Sequence, residues 1–136
     1  MAIMRRAFDP RFGEGWTAAQ CHGVLAMPGA TLIIARDEQP VGFALVRVVA
    51  GEAELMLLAV LPEMRGRGIG RSLLSESMSL AARLGASAYF LEVRSDNPAI
   101  KLYEGQGLNR VGERRDYYRG NDGLRRDAIT YRAALA

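Results

Sequence analysis

Eight consecutive residues, Arg65-Gly66-Arg67-Gly68-Ile69-Gly70-Arg71-Ser72, alternate three glycines with arginine or isoleucine. Glycine lets a backbone approach a ligand closely and take conformations that a side chain forbids. The run lies between an apolar stretch and an amphipathic one, so it reads as a strand-to-helix turn. A helix start offers N–H groups without intrahelical partners and the positive end of the dipole. With arginines alongside, this is chemistry for holding phosphate. A turn that binds nothing requires neither so many glycines nor so many arginines. The P-loop pattern needs a Gly-Lys-Ser/Thr ending that is absent here. The dinucleotide fingerprint needs Gly-x-Gly-x-x-Gly, whereas the chain has Gly-x-Gly-x-Gly.

Two further side chains could move protons. Glu92 sits inside the apolar stretch Phe90-Leu91-Glu92-Val93, where a carboxylate is costly unless it is paired or useful. Arg94 points to the same face two residues on, so an ion pair with Arg94, or with a residue on another strand, stands beside the reading as a general base. Tyr103, with Ile100, fits the apolar side of an amphipathic helix and by that pattern alone is a packing residue. Glu52 and Glu54 are reserve bases that read as solvent-facing residues at a strand start. Cys21 and His22 are neighbours on a predicted helix and point in different directions, so they read as packing or surface residues rather than a catalytic pair.

The elements that must position these groups follow from periodicity and punctuation. Met1–Phe8 reads as helical and is followed by a loop with Asp9-Pro10, Gly13 and Gly15. Thr17 caps a helix to about Met27, ended by Pro28-Gly29. Thr31–Ala35 and Pro40–Val49 are strands joined by a turn at Asp37-Glu38. Glu52–Val60 is a third, and Leu55–Leu61 is apolar on both faces, which marks the centre of a sheet. After the glycine run a helix extends to about Leu84, stopped by Gly85. Ala88–Val93 is a buried strand. Asp96 or Asn97 caps the next helix, with Pro98 at its first position and Gly107 at its end. Leu108–Tyr118 and Arg125–Ala133 complete a hairpin across Gly120-Asn121-Asp122-Gly123. This order predicts a mixed α/β (α+β) architecture with helices on both faces of one sheet.

The stretch Leu57–Leu74 resembles the pyrophosphate-binding motif of the GCN-five-related N-acetyltransferase (GNAT) superfamily. The similarity continues through Leu91-Glu92-Val93-Arg94-Ser95-Asp96-Asn97, Leu102-Tyr103-Glu104, Arg114-Arg115-Asp116-Tyr117-Tyr118 and Arg126-Asp127-Ala128-Ile129. It covers about residues 40–132 and is strongest for the bacterial ribosomal-protein alanine N-acetyltransferase branch. The resemblance implies a mostly antiparallel sheet, with acetyl-coenzyme A as co-substrate and no metal. It implies that Arg65, Gly66, Arg67, Gly68, Ile69, Gly70, Arg71 and Ser72 hold the pyrophosphate. The strand edge at Leu58, Ala59 and Val60 would pair with the pantetheine arm and supply an oxyanion-holding N–H. Asn97 would hydrogen-bond that arm, although counting back from Tyr103 puts Asp96 in the same place. Glu92 becomes the general base, and Tyr103 becomes both a cofactor neighbour and the general acid that protonates the departing thiolate.

The family's first strand is expected to be missing, because Met1–Phe8 already reads as part of the first helix. A lost edge strand exposes sheet edge, so a monomer or a homodimer is expected. Arg126 stands where the branch usually has an acidic residue and Asp116 where it often has asparagine, both in the hairpin expected to border the acceptor. The acceptor is read as a protein N-terminus of the ribosomal-protein alanine type. A small amine, or a non-catalytic module binding coenzyme A or nucleic acid, are the alternatives.

Composition narrows the field. At 136 residues the chain fits a single domain spanning residues 1–136. A single cysteine excludes an internal disulfide and cysteine-rich zinc sites. No apolar run approaches the ~20 residues that span a membrane, and no leader pattern follows Arg5 and Arg6, so a cytoplasmic location is expected. Eighteen basic residues against fifteen acidic ones give +3. Arginines crowd the final hairpin, but interspersed acidic residues make them a solvated face rather than a nucleic-acid site.

Overall fold

The computed structural model describes residues 18–120 and 122–135. The expected helix at Met1–Phe8, the cap at Thr17 and the question of a first strand lie outside the described residues. The elements are α1 (Ala18–Leu25), β1 (Ala30–Asp37), β2 (Gln39–Val49), β3 (Glu52–Val60), a 3₁₀ turn (Pro62–Met64), α2 (Ile69–Arg83), β4 (Ala88–Arg94), α3 (Ile100–Gly105), β5 (Asn109–Arg119) and β6 (Arg125–Ala134). They form one six-stranded sheet in the order β1-β2-β3-β4-β6-β5. Every neighbouring pair is antiparallel except β3 and β4. No helix among the described residues is long and apolar enough to cross a membrane.

Helices cover both faces. Leu73, Leu74 and Ala81 of α2 join Ala44, Val46, Ala53, Leu55, Leu91, Val93 and Tyr103 in the main core. On the opposite face Val24 of α1 packs on Leu45 and Leu57. Burying each leucine contributes about 1.5–3 kcal/mol, so α2 is held by packing rather than by helix propensity. Its end is a Schellman motif: the Ala86 N–H donates to the Ala81 carbonyl and the Gly85 N–H to that of Ala82, both at 3.0 Å. Gly85 takes φ +89 to allow it.

Two irregularities shape the site. Leu45 pairs with Leu57 but Val46 with Leu55, so Met56 is an extra residue in β3. Such a bulge bends its strand and swaps the faces beyond it: Leu55 belongs to the main core and Leu57 to the cluster under α1. Secondly, β3 and β4 pair only at Glu52–Ala88, Ala53–Tyr89 and Glu54–Phe90. Beyond these the two strands diverge, and Leu55–Val60 keeps its ladder to β2 alone. The sheet therefore opens into a V at its centre. At the apex, Ser77 of α2 and Tyr89 of β4 share a buried hydrogen bond of 2.7 Å, and the Ser77 hydroxyl donates to the Leu74 carbonyl at 2.8 Å. Burial pushes the Tyr89 phenol far up, so it stays protonated, with the Ser77 bond opposing only in part.

α3 begins at Ile100, two residues later than a proline at its first position predicts. The Asn97 side-chain oxygen accepts from the Ala99 N–H at 2.8 Å, so Asn97 caps a turn that precedes the helix instead of the helix itself.

Candidate active site

A cavity of about 820 Å³ fills the V. Its lining brings together most of the residues singled out from sequence: Leu58, Ala59 and Val60 from β3; Arg65, Gly66, Gly68, Ile69, Gly70 and Arg71 from the glycine turn; Asn97 and Tyr103 from the far side. Arg67 and Ser72 belong to the same turn but are exposed outside the lining. The Ser72 N–H is already spent inside α2, donating to the Gly68 carbonyl at 3.0 Å.

The β3 wall is backbone. The Leu61 N–H donates to the Val41 carbonyl at 2.9 Å, and strand alternation then turns the N–H groups of Leu58 and Val60 away from β2, toward the opened edge. At the end of this wall Gly66 and Gly68 hold φ +79 and +82, in the left-handed region. A Cβ at either would meet no atom within 4 Å. The glycines are therefore needed for backbone conformation and for what approaches from outside, not for packing. Gly68 is the N-cap of α2 and brings no side chain to its first-turn N–H groups, leaving them aimed at an incoming anion.

Tyr103 is a core residue and a lining residue at once. Glu92 lies elsewhere. Leu91 and Val93 face the main core, so Glu92 faces the opposite side of the sheet, and it is not part of the cavity lining. Its carboxylate, 22% exposed, sits 3.1 Å from Nε of Arg114 on β5. The ion pair anticipated with Arg94 or another strand thus exists, and the partner is on another strand. The Arg114 guanidinium also lies 5.0 Å from the ring centre of Tyr117, which meets Tyr118 edge-on at 5.3 Å.

Sequence reasoning missed the setting of Glu54. Glu54 is half-buried rather than solvent-facing. Burial raises its pKa, the charge of Glu92 raises it further, and Arg47 opposes. The two carboxylates thus share one face across the V, a neighbourhood that strand alternation within β3 could not reveal. Arg94 and Asp96 also line the cavity. Arg94 donates from Nε to Asp96. Burial alone would raise the Asp96 carboxyl, but the Arg94 hydrogen bond and charge, with Arg126 beyond, hold it below the usual carboxylate range. Asp96 therefore serves ion pairs, while Asn97 is the neutral polar group beside it.

A splayed parallel pair, an open strand edge and a glycine turn at a helix start coincide with a family match. Residues 1–108 fit the model of the acetyltransferase (GNAT) family. The chain belongs to this family. It is similar to the ribosomal protein bS18-alanine N-acetyltransferase of Escherichia coli, 43% identical over 64% of this chain and 59% of that protein. It is also similar to the N-alpha-acetyltransferase RimI of Mycobacterium tuberculosis, 40% identical over 85% of this chain and 77% of that protein. The crystal structure of the ribosomal-protein-S18-alanine N-acetyltransferase from Escherichia coli superposes with a TM-score of 0.87 at 31% identity, over 99% of this chain and 84% of that one. The curated Escherichia coli match thus spans less than two thirds of that relative's length.

Proposed function

We propose that this GNAT domain, spanning residues 1–136, transfers acetyl from acetyl-coenzyme A to the N-terminal α-amine of a protein, of the ribosomal-protein alanine type, in the cytoplasm. The observation that carries the reading is the V between β3 and β4, with an open backbone edge on one wall and the Gly66–Gly70 turn at its end. The names of the relatives support the acceptor class.

Acetyl-coenzyme A supplies an acetyl group activated as a thioester. The turn and the first-turn N–H groups of α2 bind its pyrophosphate, with Arg65 and Arg71 adding charge. The edge at Leu58–Val60 pairs with the pantetheine arm, and Asn97 steadies it from the far wall. An N–H of Leu58 or Val60 holds the carbonyl oxygen as negative charge develops there. Such fixed donors commonly supply the largest catalytic term.

Glu92 takes the proton that the amine must lose. An α-amine titrates near ~7.7–8.0, against ~10.4 for a lysine, so a modest carboxylate acting directly or through water suffices. Glu54 on the same face is a second candidate, since burial and the Glu92 charge raise its pKa and make it a stronger base than an ordinary glutamate. Tyr103, on the cofactor side, gives its phenolic proton to the sulfur as the C–S bond breaks.

Mass spectrometry of peptides and small amines incubated with the protein and acetyl-coenzyme A tests this. One acetyl on the α-amine of a peptide, dependent on its first residues, is the expected result. Transfer to small amines alone would discard the protein acceptor, and cofactor binding without any transfer would indicate a binding module.

A further inference from the structure

The loop residues Asp96 to Ala99 form the far wall of the cavity, and the loop is tied to the β5–β6 hairpin rather than standing alone. The tie runs through charges. The Arg94 side chain, 6% exposed, holds Asp96 from within the cavity wall. On the other side of that carboxylate, Nε of Arg126 lies 3.4 Å from Asp96 Oδ2. The same guanidinium reaches the hairpin turn, with Nη2 donating to Asp122 Oδ2 at 2.9 Å. Asp122 in turn accepts the Leu124 N–H at 3.0 Å through Oδ1, which closes the turn.

A second strand of the tie is backbone. The Ser95 N–H donates to the Asp127 carbonyl at 2.9 Å, and the Asp127 carboxylate accepts the Asp116 N–H at 2.9 Å. Asp116 sits at φ +53 in the irregular stretch of β5, where Arg114 pairs with Ala128 but Tyr118 with Arg126. The hairpin carries Arg114, the ion-pair partner of Glu92. The loop that touches the cofactor cavity and the hairpin that touches the proposed base are thus fastened to each other.

We propose that Arg126 is a positioning residue which couples the two half-sites, so that filling the cofactor cavity orders the hairpin that receives the acceptor. The inference rests on the acetyltransferase reading for the identity of the two ligands. The chemistry favours arginine here. A planar guanidinium can engage two carboxylates with separate N–H groups, which a lysine ammonium does less well. Coupling of this kind is reciprocal for binding: the factor by which cofactor favours acceptor equals the factor by which acceptor favours cofactor.

The test compares wild type with Arg126→Ala, Arg126→Lys and Asp122→Asn. The last removes the anion while an amide oxygen still accepts the Leu124 N–H, and it reports on the tie if Arg126→Ala does not fold. Hydrogen exchange is followed with and without coenzyme A, alongside steady-state transfer to a peptide. In wild type, coenzyme A is expected to protect both residues 95–99 and the hairpin turn at 120–124. In Arg126→Ala and Asp122→Asn, protection is expected to remain at 95–99 and vanish from the turn. The peptide KM should rise about five- to tenfold, in the range of ordinary coupling energies, with kcat within about twofold. Arg126→Lys should fall between wild type and Arg126→Ala. Equal protection of the turn in wild type and in the variants, or unchanged peptide KM, overturns the coupling alone. Wild type that fails to bind coenzyme A overturns the acetyltransferase reading and the coupling with it.

Discussion

The wall of the cleft made by β3, the glycine turn and α2 offers backbone groups, whereas the wall made by β4, β5 and β6 offers charged side chains. On the first, the edge at Leu58–Val60 and the left-handed Gly66 and Gly68 present N–H groups whose positions are fixed by secondary structure. On the second side Asp96 lines the cavity while Glu92, Arg114 and Arg126 stand outside its lining, and all four are held by ion pairs across elements distant in sequence. A backbone wall suits a ligand that never changes, such as a cofactor. A wall of paired side chains can be retuned one residue at a time, which suits an acceptor that differs between enzymes.

The sharpest way to separate the walls is by kinetics. Glu92→Gln and Tyr103→Phe should each lower kcat by about 10²- to 10³-fold, the usual weight of a general base or acid, with little change in affinity for coenzyme A. If Glu92→Gln leaves kcat intact, Glu54 is the base and Glu54→Gln should carry the loss.

A smaller effect is expected where the walls join. Ser77→Ala leaves the buried Tyr89 hydroxyl short of its partner, costing about 1–3 kcal/mol. Thermal melting should show it, and the double variant Ser77→Ala/Tyr89→Phe should recover much of the loss. On the backbone wall, Gly68→Val forces a branched side chain into a left-handed conformation. The strain of about 1–2 kcal/mol is expected to weaken coenzyme A binding by roughly 5- to 30-fold, read by titration of folded protein. Unchanged affinity would remove the turn from the cofactor site.

The smallest effect concerns the shared face of Glu54 and Glu92. Because the folded state raises the Glu54 pKa above the ordinary value of 4.5, the folded protein holds a proton that the unfolded chain releases. Its contribution therefore falls as pH rises through the ordinary carboxylate range and levels off above the folded pKa. Denaturation of Glu54→Gln relative to wild type should show a small stability gain that appears across this window and is absent at lower pH.

The difference between the walls also explains what the sequence could reveal. The glycine turn was legible because left-handed φ values and a helix start impose residue types at fixed spacing. The strands were legible as β-branched and apolar runs between turns, and β3, apolar on both faces, was correctly read as central. The opening of the V was not, because it depends on where two strands stop pairing and on one extra residue at Met56. Glu92 could be selected as a carboxylate in an apolar strand, but its partner could not, since Arg114 reaches it across β6 from β5. Arg126 was legible only as a departure from the branch, with no sign of its partners. Its importance arises only when the hairpin returns it to Asp96.

The central claim is that the cavity binds the cofactor while Glu92, outside its lining, takes the proton of the amine. The most direct measurement is transfer to a peptide α-amine by wild type and Glu92→Gln, with coenzyme A affinity taken on the same samples. The account predicts equal affinity and a turnover at least about 10²-fold lower in the variant. Equal turnover at equal affinity would contradict it.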